Sequence, residues 1–199
     1  MIEPHRRVGL LGGTFDPVHL AHVALAHAAL DVFDLHELRW VPAGRPWQKA
    51  HLITAAEHRE AMVQLAIEGE PRFSIDRFEI ERESASYTLD TVRTLQAREP
   101  DNELFLIIGH DQYAGLHTWD RWQELLTRVT LAVANRPGMA AAVDPQVMAQ
   151  PHRAVPLPML DISSTDIRQR AASGLDISTL VPAAVARYID QHRLYQKQP

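Results

Sequence analysis

At 199 residues the chain is long enough for one well-buried domain, and its 46% hydrophobic and 23% charged residues are ordinary for a globular protein. A formal net charge of −5 excludes a nucleic-acid-coating surface, which wants a basic excess. Cysteine is absent, which removes disulfides, thiolate nucleophiles and cysteine zinc sites and suits a reducing, cytoplasmic location.

Short runs rich in Val, Leu and Ile predict strands at 7–12, 37–42, 103–108, 129–134 and 153–157. The apolar run that follows Arg6 and Arg7 stops at Gly12, too short for a signal peptide. No stretch approaches the roughly 18 apolar residues of a membrane span. Helices are predicted over 57–68, where Met62, Leu65 and Ala66 share a face, and over 88–98, where Leu89, Val92 and Leu95 do. Between them, 73–83 alternates like a strand through Phe73, Ile75, Phe78 and Ile80, with a bend at Asp76-Arg77. Pro137-Gly138 and a run of alanines mark 136–144 as a loop, and 182–195 gathers Val185, Tyr188 and Ile189 as a last helix. Strands separated by helices imply an α/β fold, a doubly wound parallel sheet with helices on both faces. With no internal repeat and no low-complexity linker, one domain spanning 1–199 is the economical organisation.

The end of the first strand carries the strongest chemical signal, Gly12-Gly13-Thr14-Phe15-Asp16-Pro17-Val18-His19-Leu20-Ala21-His22. Gly12 and Gly13 permit a sharp turn and close approach to a bulky anion. Asp16 reads as a helix N-cap with Pro17 in the first turn, which puts His19 and His22 on one face of that helix. Amide groups and the positive dipole end favour phosphate there. Neither a Walker A loop nor G-x-G-x-x-G is present. Zinc would need a third ligand of known spacing, and no HExxH or second HxxH supplies one. Two of eleven histidines could also fall together by chance; the attached glycines and Asp-Pro make the phosphate site the better explanation.

Residues 162–168 form a second anion-binding candidate. Ile162-Ser163-Ser164-Thr165-Asp166-Ile167-Arg168 places three hydroxyls at a helix start, with Ser163 and Asp166 approximating a capping box and Arg168 one turn on. Taken alone, a plain capped helix with a solvated arginine explains this heptapeptide as well.

Together these two segments resemble the nucleotidyltransferase superfamily, with its (H/T)xGH and ISSTxIR motifs, and GGTFDPVHLAH resembles its nicotinate-nucleotide adenylyltransferase family. Ala21 stands where that family usually has Gly. The resemblance runs from Val8 to about Tyr195 and implies a Rossmann-like sheet with a small C-terminal helical portion. It includes Ser84-Ala85-Ser86-Tyr87-Thr88-Leu89-Asp90-Thr91, similar to the family's SxSYTxDT, and Gly109-His110-Asp111 with Leu116 and Trp119, similar to its GxDxxxxLxxW. Pro42 to Lys49 resembles a proline-rich loop, with Gln48 where His is frequent.

The resemblance implies that His19, His22 and Arg168 are catalytic. ATP would be held by Gly12, Gly13, Thr14, Phe15, His19, His22, Gly109, Asp111, Arg136, Ile162, Ser163, Ser164, Thr165 and Arg168. Nicotinate mononucleotide would be held by Lys49, by the start of the helix at Tyr87 and Thr88, and by Trp119, with Trp122 and Tyr113 competing to stack on the pyridine. Mg²⁺ would arrive on the triphosphate, and no dedicated metal site, nucleic-acid partner or membrane partner is implied. Monomer and homodimer both remain open. So do a sister transferase acting on nicotinamide mononucleotide, phosphopantetheine or a cytidylyl acceptor, a nucleotide-binding protein without turnover, and a metal hydrolase.

Overall fold

Apolar runs become central strands here because both faces of the sheet are covered. The computed structural model describes residues 5–44, 53–82, 87–135, 143–157 and 160–196. Strands β1 (Arg7–Gly13), β2 (Glu37–Pro42), β3 (Phe73–Ile75), β4 (Glu103–Ile108), β5 (Thr130–Asn135) and β6 (Arg153–Pro156) form one sheet in the order β3-β2-β1-β4-β5-β6. Every pairing is parallel. Alternate residues feed two separate cores. Leu11, Phe105, Ile107, Ala132 and Ala134 face one; Val8, Leu10, Leu104, Leu106, Ile108, Leu131 and Val133 face the other. A period of two with both phases apolar reads as a continuous hydrophobic run.

The first core is closed by helices α1 (Leu20–Phe33) and α2 (Ala56–Ile67), and the chain order continues with α3 (Phe78–Glu81) and α4 (Thr88–Arg98). After β4 come α5 (His110–Ala114), a 3₁₀ turn (Leu116–Thr118) and α6 (Trp122–Leu126); α7 (Pro145–Met148) precedes β6. Helices α4 to α7 cover the second core through Leu89, Val92, Leu95, Tyr113, Leu125 and Val147. Two last helices, α8 (Ser164–Ala172) and α9 (Ala183–Gln191), return to the first core through Ile167, Val185 and Ile189. This is the doubly wound, Rossmann-like arrangement. The order of strands reverses between β1 and β4, so the connections leaving their carboxyl ends run to opposite faces, through α1 on the first core and α5 on the second, and a crevice opens between them.

Two local expectations are corrected. Residues 73–83 do not form one strand: β3 ends at Ile75, and the Asp76 carboxylate accepts from Phe78 N at 2.9 Å, turning the chain into α3. The last helix stops at Gln191, and left-handed residues at Arg193 and Tyr195 turn the chain back toward the sheet.

Candidate active site

Beyond β1 the chain does not enter a helix at Asp16. Helix α1 begins at Leu20 with His19 in the N-cap position. Asp16 cannot cap because its carboxylate is engaged elsewhere: Oδ1 accepts from the Tyr195 hydroxyl at 2.8 Å, and Oδ2 lies 3.4 Å from Thr54 N. Gly12 and Gly13 stay in the extended strand, and the left-handed residue of the turn is Phe15, at φ 52°. A Cβ at Gly12 would meet nothing within 4 Å, so the space above it is open. The His19 and His22 rings stack 3.7 Å apart, and Phe15 meets His22 edge-on at 5.2 Å. His19 N donates to His22 Nδ1 at 3.3 Å, which assigns the proton of a neutral His22 ring to Nε2.

The 162–168 segment arrives at this turn from the other end of the chain. Ser163 caps α8, accepting from Asp166 N at 3.1 Å. Arg168 donates to the carbonyl of Asp16 at 2.8 Å and toward Thr165 Oγ1 at 3.3 Å. Ser164 Oγ donates to the carbonyl of Pro17 at 3.0 Å. The amide end of α8, its hydroxyls and a guanidinium therefore sit against the imidazole turn. Anions are favoured at such a place.

Across the carboxyl end of β1 lies a cavity of about 140 Å³. Gly12, Gly13 and Thr14 form one wall, and Tyr87, Thr88 and Trp119 another. Trp119 is half-buried here, whereas Tyr113 and Trp122, its competitors for stacking, are buried in the second core. Thr88 opens α4, so that helix's first amides lie at the cavity. Gly109 follows β4 directly and Asp111 is exposed in α5, both at the carboxyl edge of the sheet beside β1. Lys49, Arg136 and Ser84 to Ser86 lie outside the described residues.

A model of the cytidylyltransferase-like family matches residues 10–170. A relative from Methylibium petroleiphilum, named a probable nicotinate-nucleotide adenylyltransferase, is 50% identical over 97% of this chain and 94% of its own length. One from Bordetella petrii bearing the same name is 45% identical over 96% of this chain and all of its own length. The chain belongs to the cytidylyltransferase-like family. Among solved structures, Plasmodium falciparum nicotinic acid mononucleotide adenylyltransferase complexed with NaAD superposes with a TM-score of 0.81. At 21% identity over 96% of this chain and 98% of that one, it speaks for the fold alone.

For a cytidylyltransferase-like chain, three polar groups around the site, Arg59 and Glu79 buried and Tyr195 half-buried, were not singled out from sequence. Arg59, on α2, is 1% exposed and donates to the carbonyls of Thr14 (2.8 Å), Thr54 (2.9 Å) and Gly44 (3.2 Å). Burial pushes this guanidinium below its usual range, with the Asp16 carboxylate opposing. Glu79 lines the cavity and accepts from Thr91 Oγ1 at 2.8 Å. Tyr195 is the third, its phenol pushed up first by burial and then by Asp16. Arg59 did leave a trace in the sequence. It lies in phase with Met62 and Val63, where an apolar residue belongs.

Proposed function

We propose that this chain transfers the adenylyl group of ATP to nicotinate mononucleotide, giving nicotinate adenine dinucleotide and pyrophosphate in NAD biosynthesis. The observation that carries this is the Arg168 bond to Asp16, which joins the amide end of α8 to the paired imidazoles beside an open cavity. The relatives' names point the same way.

The mononucleotide's 5′-phosphate is already anionic near neutral pH, so it attacks the α-phosphorus in line without a deprotonating base. The bond from the α-phosphorus to the bridging oxygen breaks, and pyrophosphate leaves with the electron pair. Catalysis is then positioning plus charge stabilisation. His19 and His22 donate to α- and β-phosphate oxygens as charge builds on the leaving group. Ser163, Ser164, Thr165 and Arg168 hold the β- and γ-phosphates, with Ile162 packing beneath them. Gly12, Gly13, Thr14 and Phe15 shape the floor, while Gly109, Asp111 and Arg136 serve the adenosine. In the cavity, Trp119 stacks on the pyridinium and the first amides of α4, at Tyr87 and Thr88, receive its carboxylate. Lys49 meets the mononucleotide phosphate.

Mg²⁺ enters with ATP as part of the substrate and keeps most of its waters, which needs no carboxylate cage. Among the described residues no three His, Asp or Glu side chains gather as metal ligands, and no helix is long and apolar enough to cross a membrane. A cytoplasmic location follows from where ATP and an impermeant mononucleotide meet. The test is pyrophosphate release from ATP and Mg²⁺ with either nicotinate or nicotinamide mononucleotide. Release with the acid is expected. No release with the acid, or a marked preference for the amide, overturns the assignment.

A further inference from the structure

Tyr195 stands almost at the opposite end of the sequence from the phosphate turn, yet its hydroxyl donates to Asp16 Oδ1 at 2.8 Å. Reaching that contact takes two residues in the left-handed region, Arg193 at φ 50° and Tyr195 at φ 68°. Side-chain-bearing residues hold that conformation where surrounding contacts compensate for it. Here Leu194 N donates to Ile189 O at 3.0 Å, and Leu194 and Tyr195 both pack on the first core. The return of the chain is thus specified by its own contacts.

Asp16 is the hub of what Tyr195 reaches. Only 4% exposed, its carboxylate must be matched by donors or charge. Its own carbonyl accepts from Arg168 at 2.8 Å, the next carbonyl accepts from Ser164, and His19 follows three residues after Asp16. Arg59 balances the charge, and its guanidinium nitrogens each donate to a carbonyl, of Thr54, Thr14 and Gly44, rather than to the carboxylate. Among the described residues the phenol is the short donor to this carboxylate, with Thr54 N 3.4 Å from Oδ2. Without the phenol, the Asp16 side chain rotates or the turn shifts, and the Arg168 and His19 positions move with it.

We propose that Tyr195 is a positioning residue for the phosphate site, fixing Asp16 by its hydroxyl and, through Asp16, the placement of Arg168 and His19. This rests on the adenylyl transfer proposed above. Burial and the adjacent carboxylate hold the phenol protonated above the ordinary tyrosine range, so it remains a donor at any working pH.

Tyr195→Phe keeps the ring and its packing and deletes the donor. Tyr188→Phe is the control: it removes another hydroxyl of the same terminal region, one bonded to His58 Nδ1 at 2.9 Å with no link to Asp16. In Tyr195→Phe, kcat falls about tenfold with the mononucleotide KM unchanged, and amide hydrogen exchange across residues 14–22 accelerates. In Tyr188→Phe both stay at wild-type values. Exchange is measured without substrate, so it decides the matter whatever reaction the chain performs; a wild-type protein that releases no pyrophosphate refutes the activity and not this link. Unchanged exchange in Tyr195→Phe overturns the proposal. So does an unchanged kcat in an active enzyme, or an equal loss in Tyr188→Phe.

Discussion

Arg59 offers the sharpest test of how the site is held. Its guanidinium joins three segments: the turn after β1 through Thr14, the end of β2 through Gly44, and the approach to α2 through Thr54. Lysine keeps the charge but exchanges a planar fork for one ammonium, which at this depth reaches one or two of the three carbonyls. A hydrogen bond from a charged donor contributes roughly 1.5–3 kcal/mol, and a buried carbonyl left without a partner costs about 1–3 kcal/mol. These overlap, so Arg59→Lys is expected to lose about 2–4 kcal/mol. For a chain of this length each kcal/mol moves Tm by about 2–4 °C, giving a fall of roughly 4–16 °C. Arg59→Met also abandons all three carbonyls and leaves Asp16 without its neighbouring cation, while relieving the desolvation of the guanidinium. If the carbonyl bonds dominate, Met melts below Lys. Thermal unfolding followed by circular dichroism near pH 7 measures both. A Lys variant within about 2 °C of wild type, or a Met variant melting above it, refutes the reasoning.

Gly44→Ala places a Cβ 2.0 Å from the Glu79 carbonyl oxygen and 2.8 Å from its carbon, backbone that cannot swing aside. It should destabilise by about 1–3 kcal/mol and raise the mononucleotide KM as Ala43 leaves the cavity wall; steady-state kinetics and a melt check both. His19→Ala should lower turnover on the order of 10² or more without unfolding the chain, and near-normal rates would remove the imidazole from the mechanism. Glu37, the partly buried carboxyl among those held low, contributes to the acid limb. Burial favours its protonated form, but hydrogen bonds from Arg39 and Ser74, with the Arg39 charge, hold its carboxyl below the ordinary 4.5. The folded state therefore binds this proton less tightly than the unfolded chain, so its stabilisation is present above 4.5 and lost as pH falls through the folded value. Tm of wild type should drop more steeply below that pH than Tm of Glu37→Gln, and parallel slopes would contradict the assignment.

The strands were legible because β1, β4 and β5 are apolar in both phases, a consequence of burial on two faces. Residues 73–83 misled for the same physical reason that makes short apolar alternation ambiguous. Phe73 and Ile75 belong to a strand, but the Asp76 side chain bonds Phe78 N and redirects the next four residues into α3. Asp16 misled more instructively. Asp-Pro before an apolar periodic segment is a sound local signal for an N-cap. What defeats it is a partner 179 residues away, Tyr195, and no window of sequence contains both. The two candidate anion-binding segments, by contrast, were legible as motifs, and the structure brings them together through Arg168 and Ser164. Arg59 showed only as a charge in phase with Met62 and Val63, and Glu79 not at all, because the partner that makes its burial tolerable, the Thr91 hydroxyl, lies twelve residues on in another helix.

The two halves of the site lie on opposite faces of the sheet, and this gives Gly12 its importance. The cavity is walled by Leu10, Leu89, Val92, Leu106, Ile108 and Leu125, all members of the second core. The phosphate turn stands on Leu11, Phe15 and Val18, members of the first. On the proposed function, a nucleophile held in the cavity and a triphosphate held at the turn would meet over the carboxyl end of β1, where Gly12 leaves open space. A Cβ there meets nothing within 4 Å, and a glycine inside a strand costs about 0.5–1 kcal/mol relative to alanine, so Gly12→Val should fold about as stably as wild type. The same side chain would stand between the reacting groups, where displacement of about 1 Å costs on the order of 10² in rate. Loss of turnover in a protein whose melting temperature is unchanged is the expected result. Wild-type kcat/KM in Gly12→Val would mean that the reaction path does not cross β1, and that the cavity and the imidazole turn serve different ligands.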